Sequence, residues 1–220
     1  MKLQETKEIK EKSIFLQKHS ASIRIWHWLT FIIISFLIIT VLFNSTMFDT
    51  RGNTAMVKNV LSGKNLVASD DQARAVANEY GDKLWNLHKY LGFALTFLFL
   101  SRIVIEITLS QEEKMSSKIK NALLMFRKNI RKSEFKHYLI VKYSYTLFYL
   151  LIIYMVTTGL LLAFESELGI PQQTNHFIKD IHGFGQYLMY AFICVHLFGV
   201  INADMKESKG IISGMVNGGE

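Results

Sequence analysis

Residues 182–203 read HGFGQYLMYAFICVHLFGVINA, and this stretch decides the fold. It contains no Asp, Glu, Lys or Arg, and a helix needs about 20 mainly apolar residues to cross a hydrocarbon core of ~30 Å. Three further stretches are similarly long and mainly apolar: Ile23 to Phe43, Leu87 to Leu109 and Tyr143 to Phe164. A water-soluble fold would have to bury four unusually long helices that are apolar on every side, so the pattern reads as four transmembrane spans. The expected fold is all-α: an integral membrane four-helix bundle in one domain over residues 1–220, with helices about 23–43, 87–109, 143–164 and 182–203.

Charge orders these spans. The formal net charge is +7, yet the basic residues are unevenly placed. Seventeen Lys and Arg lie before or at the start of the first span (Arg24 being at its start), between the second and third, and after the fourth, against six in the other two connections. The excess of Lys and Arg in cytoplasmic segments then predicts both termini in the cytoplasm. Charge of this kind reports topology, and no nucleic-acid partner is expected. The first span follows charged residues of both signs without a small-residue cleavage site, so it is expected to be a retained helix.

Histidines mark the chemistry. An ionisable side chain inside a membrane span is costly and by default a functional candidate facing the protein interior. His182 and His196 are fourteen residues apart, and fourteen steps of about 100° fall ~40° short of four turns while rising ~21 Å. Both rings therefore leave one face of the helix at opposite membrane levels. With the N-terminus inside, His27 lies at the cytoplasmic level with His196, and His88 at the outer level with His182.

Two imidazoles facing each other across apolar helices suit a six-coordinate haem iron. The single cysteine, Cys194, allows no Cys-x-x-Cys-His attachment signature, so two non-covalent haem b groups are expected. With both axial positions filled the expected chemistry is one-electron transfer, and no residue is assigned a catalytic role. Zinc is the alternative metal, but neither pair has further carboxylate or thiol ligands at its level. His19, His137 and His176 lie outside the spans and read as surface residues.

Other residues surround this set. Gly92, Gly185 and Gly199 follow histidines by three or four positions and either admit a macrocycle or serve helix contact. Arg24 and Arg102, near the cytoplasmic ends of their spans, are candidates for the propionates of the inner haem, and Lys89 for the outer one. Snorkelling to the headgroups is the alternative for Arg24.

The connections carry weaker signals. In the outer loop, 44–86, Ser69 and Gln72 read as a capping box and Gly81 as a helix stop, with a short helix from Thr54 to Leu61 ended by Gly63. In the basic cytoplasmic segment, 110–142, Ile119, Ala122, Leu123, Phe126 and Ile130 recur at helical spacing among Lys and Arg. This pattern suits an amphipathic helix at anionic membrane lipid, or a docking surface for a cytoplasmic enzyme.

These residues resemble the bacterial cytochrome b561 superfamily of four-helix di-haem membrane proteins, which includes the cytochrome b subunits of nickel-iron hydrogenases and formate dehydrogenases. The resemblance is carried by Arg24-Ile25-Trp26-His27-Trp28, by His88-Lys89-Tyr90-Leu91-Gly92, by His182 to His196 with Gly199, and by the tail Gly210 to Gly218. It implies a place in a bacterial inner (cytoplasmic) membrane and electron exchange between a membrane quinone, free or bound by the chain, and a redox partner protein such as a hydrogenase or dehydrogenase subunit. The long outer loop departs from the pattern, and no quinone-site residue carries over. Two other functions compete: a self-sufficient superoxide-to-quinone oxidoreductase, and a membrane scaffold or transporter without haem.

Overall fold

The computed structural model describes residues 20–111, 114–128, 132–205 and 210–218, with the side chains of 132–134 left aside. The basic residues from Lys2 to Lys18, His19, Ile130, Arg131, Lys206 and Lys209 lie outside the described residues. Within them the chain is all-α: α1 (Ala21–Thr46), α2 (Thr50–Ser62), α3 (Asp70–Thr108), α4 (Met115–Arg127), α5 (Lys132–Ala163), α6 (Gln172–Met205) and α7 (Ile211–Val216). Four helices, α1, α3, α5 from Phe135 and α6, are long and apolar enough to cross a membrane. Their apolar windows are only 11–17% buried by protein. Side chains such as Phe97, Val195 and Phe198 are more than 70% exposed, a surface that water would not tolerate and lipid covers.

Three of these helices begin well ahead of their apolar blocks. α3 has 39 residues, about 58 Å at 1.5 Å per residue, nearly twice a hydrocarbon core. It begins at Asp70 where the sequence suggested Leu87, so much of the expected outer loop is helix. α6 likewise begins at Gln172, behind Pro171, whose carbonyl accepts from the Asn175 N–H at 2.9 Å. α5 begins at Lys132, eleven residues ahead of its apolar block at Tyr143.

The chain divides into two compact units, one of residues Trp28–Leu98 and one joining the described residues up to His27 to those from Phe99 onward. In the first, the capping box forms as read. Ser69 N–H donates to Gln72 Oε1 at 3.0 Å, and Gln72 N–H to Ser69 Oγ at 3.2 Å. The short helix α2 runs from Thr50 to Ser62 with Gly63 as its C-cap. Gly81 does not stop a helix: it lies inside α3, where a Cβ would stand 3.3 Å from Asn44 Oδ1 on α1. Glycine is there for close approach, and Ala73, Ala77 and Gly81 form a buried small-residue face at four-residue spacing. The Phe48–Tyr80 ring stack at 6.3 Å and the Lys58–Asp70 ion pair tie the α1–α2 segment to α3.

In the second unit α5 and α6 form an antiparallel hairpin. Its turn uses Gly169 at φ +61°, a left-handed conformation that favours glycine. The apolar face of α4 packs on α5, with Ala122, Tyr138 and Leu139 buried and Ile119, Leu123, Phe126 and Phe135 around them. That face therefore covers protein, while Leu124 and Met125 stay exposed. α7 starts at Gly210 (φ +94°), and Asp204 Oδ1 accepts from the Gly210 and Ile212 N–H groups at 3.0 and 3.3 Å.

Candidate functional site

His27, six residues into α1, and His196 on α6 face each other with ring centroids 6.4 Å apart and planes tilted by 54°. Both rings are half-buried. Phe192, one turn before His196, lies parallel to it at 6.0 Å and 8°, and Phe148 of α5 stacks on Phe192 at 5.1 Å. The i, i+4 spacing of Phe192 and His196 puts both on one face of α6, and the stack limits how the imidazole can turn. A Cβ built at Gly199 meets no atom within 4 Å, and the same holds for Gly92. Gly185 behaves differently: its Cβ would overlap Tyr154 and Met155, so it serves the contact of α6 with α5.

Next to His27, Trp26 is buried, and the Arg102 guanidinium lies 5.8 Å from its ring and 5.6 Å from that of Tyr149. Arg102 is itself buried; Nε donates to Tyr149 Oη at 2.9 Å and Nη2 to Glu106 Oε2 at 2.8 Å. Its Nη1 is buried and has no partner among the described residues. A buried guanidinium donor left in this way favours a further acceptor, such as a carboxylate. Glu106 also accepts from the Met115 N–H at 2.7 Å through Oε1, joining this cluster to the start of α4.

The other two histidines sit in hydroxyl seats. In the Trp28–Leu98 unit, His88 Nδ1 is 2.8 Å from Thr40 Oγ1. In the second unit, His182 Nδ1 is 2.7 Å from Thr158 Oγ1. Gly159 lets the His182 ring approach α5, since a Cβ there would lie 3.3 Å from His182 Cε1, and Tyr154 Oη donates to the Ile181 carbonyl beside it. Lys89 is exposed. The Arg24 guanidinium lies against Gly218 of the tail, where any Cβ would overlap it. His137 and His176 are exposed.

Six residues of these surroundings escape a reading of sequence alone: Thr40, Thr158, Gly159, Tyr154, Glu106 and Tyr149. Only Glu106 carries a local signal, as the i+4 partner of Arg102 on one helix face. The others depend on the register between helices.

Four helices long and apolar enough to cross a membrane, with the imidazoles of His27 and His196 facing each other, define a class, the multi-pass membrane protein with paired histidines. The chain belongs to the prokaryotic cytochrome b561 family, whose match covers residues 18–218. It is therefore a membrane protein that binds haem b and transfers electrons. Comparison with curated proteins and with solved structures returns no match. The residues present fit a haem. Imidazole nitrogen binds a metal at about 2 Å, so two rings on one ion stand with centroids roughly 6 Å apart, close to the 6.4 Å between His27 and His196. No group of three or more His, Cys, Asp or Glu suited to a bare ion occurs among the described residues. A donor set of two imidazoles suits an iron whose other four ligands belong to a macrocycle.

Proposed function

We propose that the chain holds two haem b groups and links the membrane quinone pool to a redox partner, as a subunit of a respiratory oxidoreductase complex in a bacterial inner membrane. The observation that carries this reading is the approach of the His27 and His196 rings. These two would hold the inner haem, and the open space at Gly199 would leave room for the macrocycle beside them. Arg102 Nη1 is the donor for a propionate, with Glu106 and Tyr149 holding the rest of the guanidinium in place. Arg24 rests on the tail and is the weaker candidate.

His88 and His182 are proposed as ligands of the outer haem from their levels along the chain, with Lys89 at that level for a propionate. The distribution of Lys and Arg supports both termini in the cytoplasm. When bound, haem supplies one-electron transfer. The histidine pairs would hold the group, and the apolar side chains of the spans would keep water from it and tune its potential.

The test is a pyridine haemochrome count with a reduced-minus-oxidised spectrum on the purified chain. Two b haems per chain are expected, and a count near zero ends the reading. Replacing His196 removes one haem and leaves the other, with helix content unchanged by circular dichroism. Quinone reduction that requires a co-purified subunit supports the subunit role. Superoxide oxidation by the chain alone favours a self-sufficient oxidoreductase.

A further inference from the structure

Thr40 and Thr158 are two buried threonines on different spans, 3% and 5% exposed. Each hydroxyl carries one proton, and a carbonyl oxygen can only accept. Thr40 Oγ1 donates to the Leu37 carbonyl at 2.7 Å, and Thr158 Oγ1 to the Tyr154 carbonyl at 2.8 Å. With that proton bound to its own helix, each oxygen meets the neighbouring histidine with lone pairs only. The contacts at 2.8 Å to His88 Nδ1 and 2.7 Å to His182 Nδ1 are then N–H···O bonds in which the imidazole donates. A neutral imidazole with its proton on Nδ1 has its lone pair on Nε2.

We propose that Thr40 and Thr158 are positioning residues that hold His88 and His182 in the Nδ1–H tautomer, ready to ligate iron through Nε2. The inference rests on the assignment of these histidines as haem ligands. Both seats are built the same way, although one joins α1 to α3 and the other α5 to α6. In each, a threonine back-bonded to its own helix presents an acceptor to a ring on the neighbouring helix. Such a bond fixes ring orientation and increases the electron donation of the ligand, which favours ferric over ferrous iron.

The experiment uses the full chain in detergent. His88→Ala and His182→Ala first identify, by haemochrome count and redox titration, the midpoint of the haem that the two histidines are proposed to share. If neither removes a haem, the ligand assignment fails and the threonines are not at issue. Thr40→Val and Thr158→Val keep side-chain shape and remove the acceptor. Each is expected to shift that shared midpoint upward, by about tenfold in the ferric/ferrous balance or ~59 mV, and to alter that haem's low-spin EPR signal. Thr→Ser at either position keeps both at wild-type values. Where a Val variant does not fold, Thr→Ala takes its place. Midpoint and EPR signal unchanged without the hydroxyl, or Ser behaving like Val, overturns the proposal.

Discussion

A methyl group at Gly185 and one at Gly199 meet opposite surroundings, although each glycine follows a histidine by three residues on α6. At Gly185 the methyl would overlap Tyr154 and Met155, so Gly185→Ala is expected to cost about 1–3 kcal/mol through overpacking of α5 against α6. A lowered thermal midpoint in detergent, before any change in haem ligation, is the measurement. Gly199→Ala meets no protein atom within 4 Å. It is expected to leave helix content and melting of the haem-free chain unchanged while lowering occupancy of the His27 and His196 site; full occupancy would show that the macrocycle does not use this gap. Around Arg102, Tyr149→Phe removes a hydrogen bond to a buried charge and is expected to cost about 1.5–3 kcal/mol in the same melting assay. The histidines were legible because an ionisable residue in an apolar span is rare. Thr40 and Thr158 were not, because threonine in a membrane helix reads as a small packing residue until a ring is found beside it. Gly185 and Gly199 could not be told apart without the neighbouring helix.

Element boundaries follow the same division between local and distant causes. The start of α3 was written in Ser69 and Gln72, a cap that needs only three residues of chain. Its continuation through Gly81 depended on Asn44, thirty-seven positions earlier, and glycine alone suggested a stop there. Hydropathy marks only the apolar part of a helix, so the polar first turns of α3, α5 and α6 were invisible to it. For α4, amphipathic spacing was readable but its partner was not, since lipid and the Tyr138–Leu139 surface of α5 select the same face. Ala122 is 2% exposed at the centre of that contact. Ala122→Leu is expected to overpack it by about 1–3 kcal/mol and loosen α4. Limited proteolysis in detergent should then cut within residues 110–131 while the four spans remain protected. Unchanged cleavage would mean that α4 is not held by this contact.

At the scale of the whole molecule, charge and hydropathy make independent demands that must agree. Apolar length fixes four crossings, and an even number puts both termini on one side. From the seventeen basic residues of one set of segments against six of the other we propose that this side is the cytoplasm. Under that proposal His27 and His196 belong to the inner level, so it is a condition on the proposed direction of the haem relay. It is tested by replacing Cys194, the one native thiol, with Ser and introducing single cysteines. Lys64→Cys, in the turn after α2, is expected to react with a membrane-impermeant maleimide in intact spheroplasts. Ser213→Cys, in α7, is expected to react only after the membrane is opened. Reversed labelling would invert the levels of all four histidines together and leave their pairing untouched, because each pair depends on shared depth and not on which side is named the inside.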